Sequence, residues 1–89
     1  MEIKGVRVKD GEWPEEPGEY SKWIKADGKI RWFVIPPKSG LPCGYLDSHT
    51  VIEHEDGTIT VSPSILFEKR NENFPGWHGY LEKGVWREC

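Results

Sequence analysis

The chain contains no apolar run near the ~20 residues that a membrane-spanning helix requires, which leaves no helical membrane span to expect. A concentrated basic tract is missing as well: 12 Lys and Arg are scattered among 15 Asp and Glu, for a formal charge of −3. A generic nucleic-acid binder needs a clustered positive footprint on the phosphates, so that class is not expected. Cysteine is scarce. Cys43 and Cys89 lie far apart in sequence and make no disulfide framework. In a reducing compartment such thiols are free or metal-bound more often than bridged. No window longer than about 10 residues carries apolar residues at helical spacing, and repeats, linkers and low-complexity tracts are absent. The opening run Met-Glu-Ile-Lys-Gly-Val-Arg-Val alternates charged and apolar types and lacks the apolar segment of a signal peptide, which makes the cytoplasm the expected location.

What is present is aromatic and turn-rich. The 89 residues include five Trp, three Tyr and three Phe, punctuated by ten Gly and seven Pro. A chain of this size has limited capacity to bury a core and commonly needs a staple. Aromatic rings bury roughly 150–250 Å² each and can supply most of that burial. Short β-rich runs separated by turn residues predict a mainly β fold: a small antiparallel sheet built from three hairpins, with at most one or two short helical turns. Residues 1–89 are expected to form one small β-rich domain.

Three dipeptides mark the hairpins: Asp27-Gly28, Asp56-Gly57 and Lys83-Gly84. Asp-Gly pairs suit the positive-φ geometry of a type I′ turn, and a two-residue loop fixes the register by counting outward. Trp23 then faces Trp32, with Ile30 and Val34 on the same side. In the second hairpin His54 faces Ile59 and Ile52 faces Val61, so His54 leans on the apolar side while Glu53 and Glu55 point to the polar one. In the third, Leu81 faces Trp86 and His78 faces Cys89. Residues 9–18 are acidic and broken by proline, hence exposed. Residues 36–48 form a long loop that carries Cys43, and Ser62-Pro63 could cap and start a single helical turn.

Four site chemistries compete. Cys43, His54, His78 and Cys89, with His49 as an alternative ligand, make up a Cys/His set of the kind zinc prefers, although no CxxC or HxxxH spacing supports it. Ser64 or Ser62 beside His49, His78 or His54 is the raw material of a Ser/His nucleophilic site, oriented by Glu53, Glu55 or Asp56. The competing reading is that both serines satisfy backbone amides at a turn. Glu53, Glu55 and Asp56 are read as a solvated strand face and a turn residue in preference to an acid–base pair. Trp13, Trp77, Tyr45 and Phe74 sit in or beside Pro/Gly-rich segments, where aromatics either bind a protein or fold back to close the core.

The run Asp56-Gly57-Thr58-Ile59-Thr60-Val61-Ser62-Pro63-Ser64-Ile65, followed by Trp77-His78-Gly79-Tyr80-Leu81-Glu82-Lys83-Gly84-Val85-Trp86, resembles an uncharacterised family of small proteins of tailed phages, prophages and bacteria. The resemblance spans roughly residues 41–89. Longer members open with a Cys-Pro-Cys-Gly segment, matched in part by Pro42-Cys43-Gly44, and close with a strand histidine, a turn glycine and a terminal cysteine, matched by His78, Gly84 and Cys89. This chain has one cysteine where the pattern has two. Some bacterial relatives are associated with ubiquitin-like conjugation, and the resemblance implies a peptidase-type role there. The expectation formed from residues and resemblance together is a phage or prophage accessory protein in the host cytoplasm that binds a host or phage protein. The alternatives are a Ser/His hydrolase and a structural zinc module.

Overall fold

Strand β9 (Trp77–Glu82) shows how these residues choose their faces. Trp77, Gly79 and Leu81 are buried and His78, Tyr80 and Glu82 are exposed, a strict period of two. The computed structural model describes residues 2–37, 43–69 and 76–89. The remaining strands are β1 (Glu2–Lys4), β2 (Val6–Arg7), β3 (Glu19–Ile24), β4 (Ile30–Val34), β5 (Gly44–Tyr45), β6 (Thr50–Glu53), β7 (Ile59–Ser62), β8 (Ile65–Phe67) and β10 (Val85–Glu88). They form a four-stranded sheet in the order β1-β10-β9-β8, a second in the order β2-β3-β4-β5, and the two-stranded β6-β7. The mainly β expectation holds, and the three hairpins are present, one in each sheet. The pairing of β2 with β3 is parallel. No helix among the described residues is long and apolar enough to cross a membrane.

The third hairpin has the expected register, with Leu81 opposite Trp86 and the His78 carbonyl accepting from the Cys89 amide at 2.9 Å. Lys83 and Gly84 both take positive φ, 47° and 76°, as a two-residue primed turn requires. The other two hairpins are shifted by one residue. Trp23 faces Arg31 and Trp32 faces Lys22, so the two tryptophans lie on opposite faces. Ile52 faces Thr60 and Glu53 faces Ile59. The cause is the same in both loops. The Gly28 amide donates to the Lys25 carbonyl (2.9 Å) and the Gly57 amide to the His54 carbonyl (3.0 Å), each glycine adopting a φ near +85° to +88°. This is a three-residue loop, a type I turn closed by a left-handed glycine. The aspartates stay at negative φ and accept amide hydrogens two residues on, Asp27 from Lys29 and Asp56 from Thr58. His54 therefore shares a face with Ile52 and Thr60, away from Ile59 and Val61, and Glu53 stands on the core side.

The helical turn expected after Ser62 is not formed. Ile65 is instead placed opposite Gly79 in β8, where it is fully buried. Of the two alternatives expected for Trp77, the core-closing one is found. It is a buried strand residue whose ring meets Trp86 edge-on at 5.3 Å, and Phe74 lies outside the described residues.

The core draws on all three sheets: Tyr20, Trp32 and Val34, then Ile59 and Val61, then Ile65, Trp77, Leu81 and Trp86, with Leu46 from the β5–β6 connection. Trp86, 1% exposed, donates its indole N–H to the Gly18 carbonyl at 2.9 Å. Gly5, between β1 and β2, admits that ring: a Cβ there would lie 2.9 Å from the indole nitrogen. Around the rim, Glu53 accepts from Arg7 at 2.7 Å and Lys22 at 2.9 Å, fastening β6 to β2 and β3. The Arg7 guanidinium lies 5.1 Å over the Trp32 ring.

Two stability predictions follow from these contacts. Trp86→Ala should cost about 3–5 kcal/mol in chemical denaturation. Trp86→Phe keeps most of the apolar contact and loses the hydrogen bond, for about 1–2 kcal/mol. A Trp86→Phe variant as stable as the native chain would show that the indole N–H is irrelevant. The hydrogen bonds from Lys22 and Arg7 hold the Glu53 carboxyl below its usual range. A carboxylate whose pKa is lowered on folding stabilises above its unfolded pKa of about 4.3, and that contribution disappears as pH falls through the folded value. Glu53→Gln should therefore lower stability at neutral pH, by a small amount because the side chain is 37% exposed, and flatten the loss of stability below about pH 4. An unchanged acid limb in the variant would refute the assignment.

Candidate functional site

Two outward faces carry chemistry. On the first, β9 places His78 opposite Leu66 of β8, and Ser64 precedes β8 by one residue. The Ser64 hydroxyl meets His78 Nε2 at 3.1 Å. His49, from the β5–β6 connection, reaches the same serine differently: its Nε2 lies 3.1 Å from the Ser64 carbonyl. A carbonyl only accepts, so this nitrogen carries the proton and His49 ties two connections together through the backbone. Its other nitrogen, Nδ1, is buried with no hydrogen-bond partner among the described residues. Three of the four expected catalytic residues are thus brought together, and Ser62, exposed opposite Thr50, makes no hydrogen bond to them.

The arrangement has a limited chemical reach. His78 can accept the Ser64 proton, but no carboxylate among the described residues bonds its Nδ1 to orient the ring. Glu53 is committed to Arg7 and Lys22, and Asp56 to the amide and hydroxyl of Thr58. Nucleophilic triads need that third group to fix the imidazole.

The expected metal ligands are dispersed. His78 and Cys89 are cross-strand neighbours, as counted from the turn. His54 Nε2 bonds the Thr60 hydroxyl at 2.7 Å, and the Cys43 thiol points at the Gly44 carbonyl at 3.7 Å. Among the described residues no group of three or more His, Cys, Asp and Glu side chains is placed to hold a metal ion.

The second face is the outer side of the β2-β3-β4-β5 sheet, and most of it follows from the one-residue shift. With Ser21 opposite Phe33, Trp23 opposite Arg31, and Phe33 opposite Tyr45, all five side chains emerge on one side. The 9–18 loop folds back so that Trp13 packs on Trp23 and Phe33, with centroids 4.8 and 4.7 Å away. Tyr45 meets Phe33 at 6.5 Å, and Arg31 caps the Tyr45 ring at 4.6 Å while gripping Asp47 with two nitrogens. Successive rings are inclined by 47° to 78°. Trp13 and Tyr45 remain 55% exposed. The expectation placed Trp13 and Tyr45 in exposed loops but missed Trp23 and Phe33, because counting two-residue loops assigned Trp23 to the core face. No local signal separates the two loops, since the glycine of an Asp-Gly pair suits either one.

The cysteines should differ in reactivity. Burial pushes the Cys43 thiol up to about 11, whereas Cys89 is exposed. At pH 8, iodoacetamide should modify Cys89 at least about tenfold faster than Cys43, since the thiolate is the nucleophile. Peptide mass spectrometry over a time course reads this directly, and comparable rates would contradict the half-buried placement of Cys43. Comparison with protein-family models, with curated proteins and with solved structures returns no match to this chain.

Proposed function

We propose that this chain is a small protein-binding module, of phage or prophage origin and acting in the host cytoplasm, that docks a host or phage protein on the Trp13–Trp23–Phe33–Tyr45 face. The observation that carries the reading is the continuous aromatic row, held on a sheet and left open to solvent at both ends. Exposed apolar area costs roughly 25 cal/mol per Å² relative to burial, so rings of this size left outside a small core are unspent binding surface. Aromatic anchors of this type supply most of the energy at protein interfaces. The phage origin rests on the resemblance of the Asp56–Ile65 run.

A selection from an unbiased peptide-display library against the immobilised chain tests the reading. Trp13→Ala and Tyr45→Ala variants, matched in denaturation midpoint, serve as controls. Enriched peptides should bind the variants at least about tenfold more weakly, a loss of about 1.4 kcal/mol. Peptides indifferent to both substitutions would end the proposal.

The Ser64–His78 contact favours a second reading, a Ser/His hydrolase of the kind the resemblance implies. Ser64 would be the nucleophile and His78 its base. A fluorophosphonate probe separates the two readings. The binding reading expects no label on Ser64, and a label lost in both Ser64→Ala and His78→Ala would favour the hydrolase.

A further inference from the structure

We infer that the aromatic face takes a proline-rich segment in the polyproline II conformation, with a basic residue beside the prolines. This inference rests on the binding-module reading and names the partner chemistry for the same face. Three properties of the face converge on it.

The first is shape. Rings inclined by 47° to 78° pack edge against face and leave no shared plane on which a base or a sugar could lie flat across the row. A pyrrolidine ring is compact and apolar and can pack on the exposed side of each inclined ring in turn. The steps along the row, 4.7 Å from Trp13 to Phe33 and 6.5 Å from Phe33 to Tyr45, match one to two residues of a polyproline II chain, which advances about 3.1 Å per residue.

The second is hydrogen bonding. The Trp23 indole N–H is already spent on the Glu12 carbonyl at 3.1 Å. Trp13 Nε1 and the Tyr45 hydroxyl bond nothing among the described residues, and both side chains are exposed. The face therefore offers two free donors, one at each end. A polyproline II segment is the complementary partner: it makes no internal hydrogen bonds, proline contributes no N–H, and its carbonyls point outward as acceptors. An added β-strand would need free backbone groups along a sheet edge, which a row of side chains on a sheet face does not supply.

The third is charge. The segment 9–19 that brings Trp13 onto the face holds Asp10, Glu12, Glu15, Glu16 and Glu19 against Lys9 alone. Asp10 is paired with Arg7, and Glu19 accepts the amides of Glu15 and Glu16. The carboxylates of Glu12, Glu15 and Glu16 are exposed and form no ion pair among the described residues. A negative rim beside an apolar row selects a cationic flank on the ligand and raises its on-rate. It also repels nucleic-acid phosphates, leaving the aromatic rings without a polyanion to stack against.

Fluorescein-labelled synthetic peptides test the inference by fluorescence polarisation. The probe is a twelve-residue peptide with two Pro-x-x-Pro turns and a flanking arginine. Its controls are a version with the arginine replaced by glutamate and a charge-matched version in which every proline is alanine. The arginine peptide should bind saturably and both controls at least about tenfold more weakly. Trp13→Ala should remove binding. Tyr45→Phe, which deletes only the hydroxyl, should weaken it about two- to tenfold, the worth of one hydrogen bond. Glu15→Gln with Glu16→Gln should weaken the arginine peptide and leave the glutamate peptide unchanged or tighter. Absence of saturable binding, equal binding of the proline-free peptide, or indifference to Trp13→Ala would overturn the inference. If peptides selected from the unbiased library depend on Trp13 and Tyr45 but contain no proline, the inference fails while the binding-module reading stands. If nothing selected depends on those rings, both fail.

Discussion

The buried hydrogen bond from the Trp86 indole to the Gly18 carbonyl is the contact on which the arrangement of the sheets depends. Gly18 also accepts from the Val6 amide at 3.1 Å, so one carbonyl serves the first strand of the second sheet and the largest core ring of the first. Next to Val6, the Gly5 amide donates to the Gly84 carbonyl at 2.7 Å, and the Gly84 amide donates to the Ile59 carbonyl at 3.0 Å. The three sheets thus meet within a few residues of a single indole. None of the sheets is large enough to be stable alone, since two- to four-stranded pieces gain their stability from a shared apolar face. A ring as large as tryptophan, with one polar edge that must find an acceptor, can join them while leaving no buried donor unpaired.

From that junction the outer face of the second sheet is a consequence and not a separate design. Trp32 is drawn to the core, where it packs under Arg7 beside the Glu53 network. Because strand neighbours alternate, fixing Trp32 inside sends Arg31 and Phe33 outside, and the pairing with β3 and β5 carries Trp23 and Tyr45 with them. Ser21, fully buried on that same outer side, shows that the 9–18 loop closes over the sheet and does not wander. Trp23, Phe33 and Tyr45 stand on strands, and Trp13 is packed against two of them from the loop. Side chains already held in place lose little further freedom on binding, which is where a small surface gains affinity.

How much of this was legible in the chain depends on the turn chemistry. Lys83-Gly84 admits a two-residue loop, and with it the pairing of His78 with Cys89 and of Leu81 with Trp86 was available by counting. Asp-Gly is ambiguous, because aspartate either takes a left-handed φ itself or caps the loop from a right-handed one. Asp27 and Asp56 do the second, and Lys83 is the one non-glycine residue at positive φ among the described residues. Local residues do not decide between these alternatives. What decides is whether Trp23 or its neighbours must face the core, a tertiary question settled by Trp86 and Ile59 from distant strands. The same holds for Ser62-Pro63, where cap-like residues yielded to the pairing of Ile65 with Gly79.

The histidines illustrate why a cluster read from composition does not carry chemistry by itself. His49 and His54 each spend a ring nitrogen on a nearby oxygen, the Ser64 carbonyl and the Thr60 hydroxyl, so both act as connectors within the fold. Thr60 shows how far such use extends, since its hydroxyl also accepts the Lys83 amide at 2.9 Å and links the second and third hairpins. His49 and His54 are half-buried and His78 is exposed, its serine partner held by His49 through the backbone. A catalytic pair needs its groups free to exchange protons with a substrate and oriented by a third residue. The aromatic face needs neither. It requires only rings held in place and donors left open, and both are already supplied by β3, β4 and β5 and the 9–18 loop packed on them.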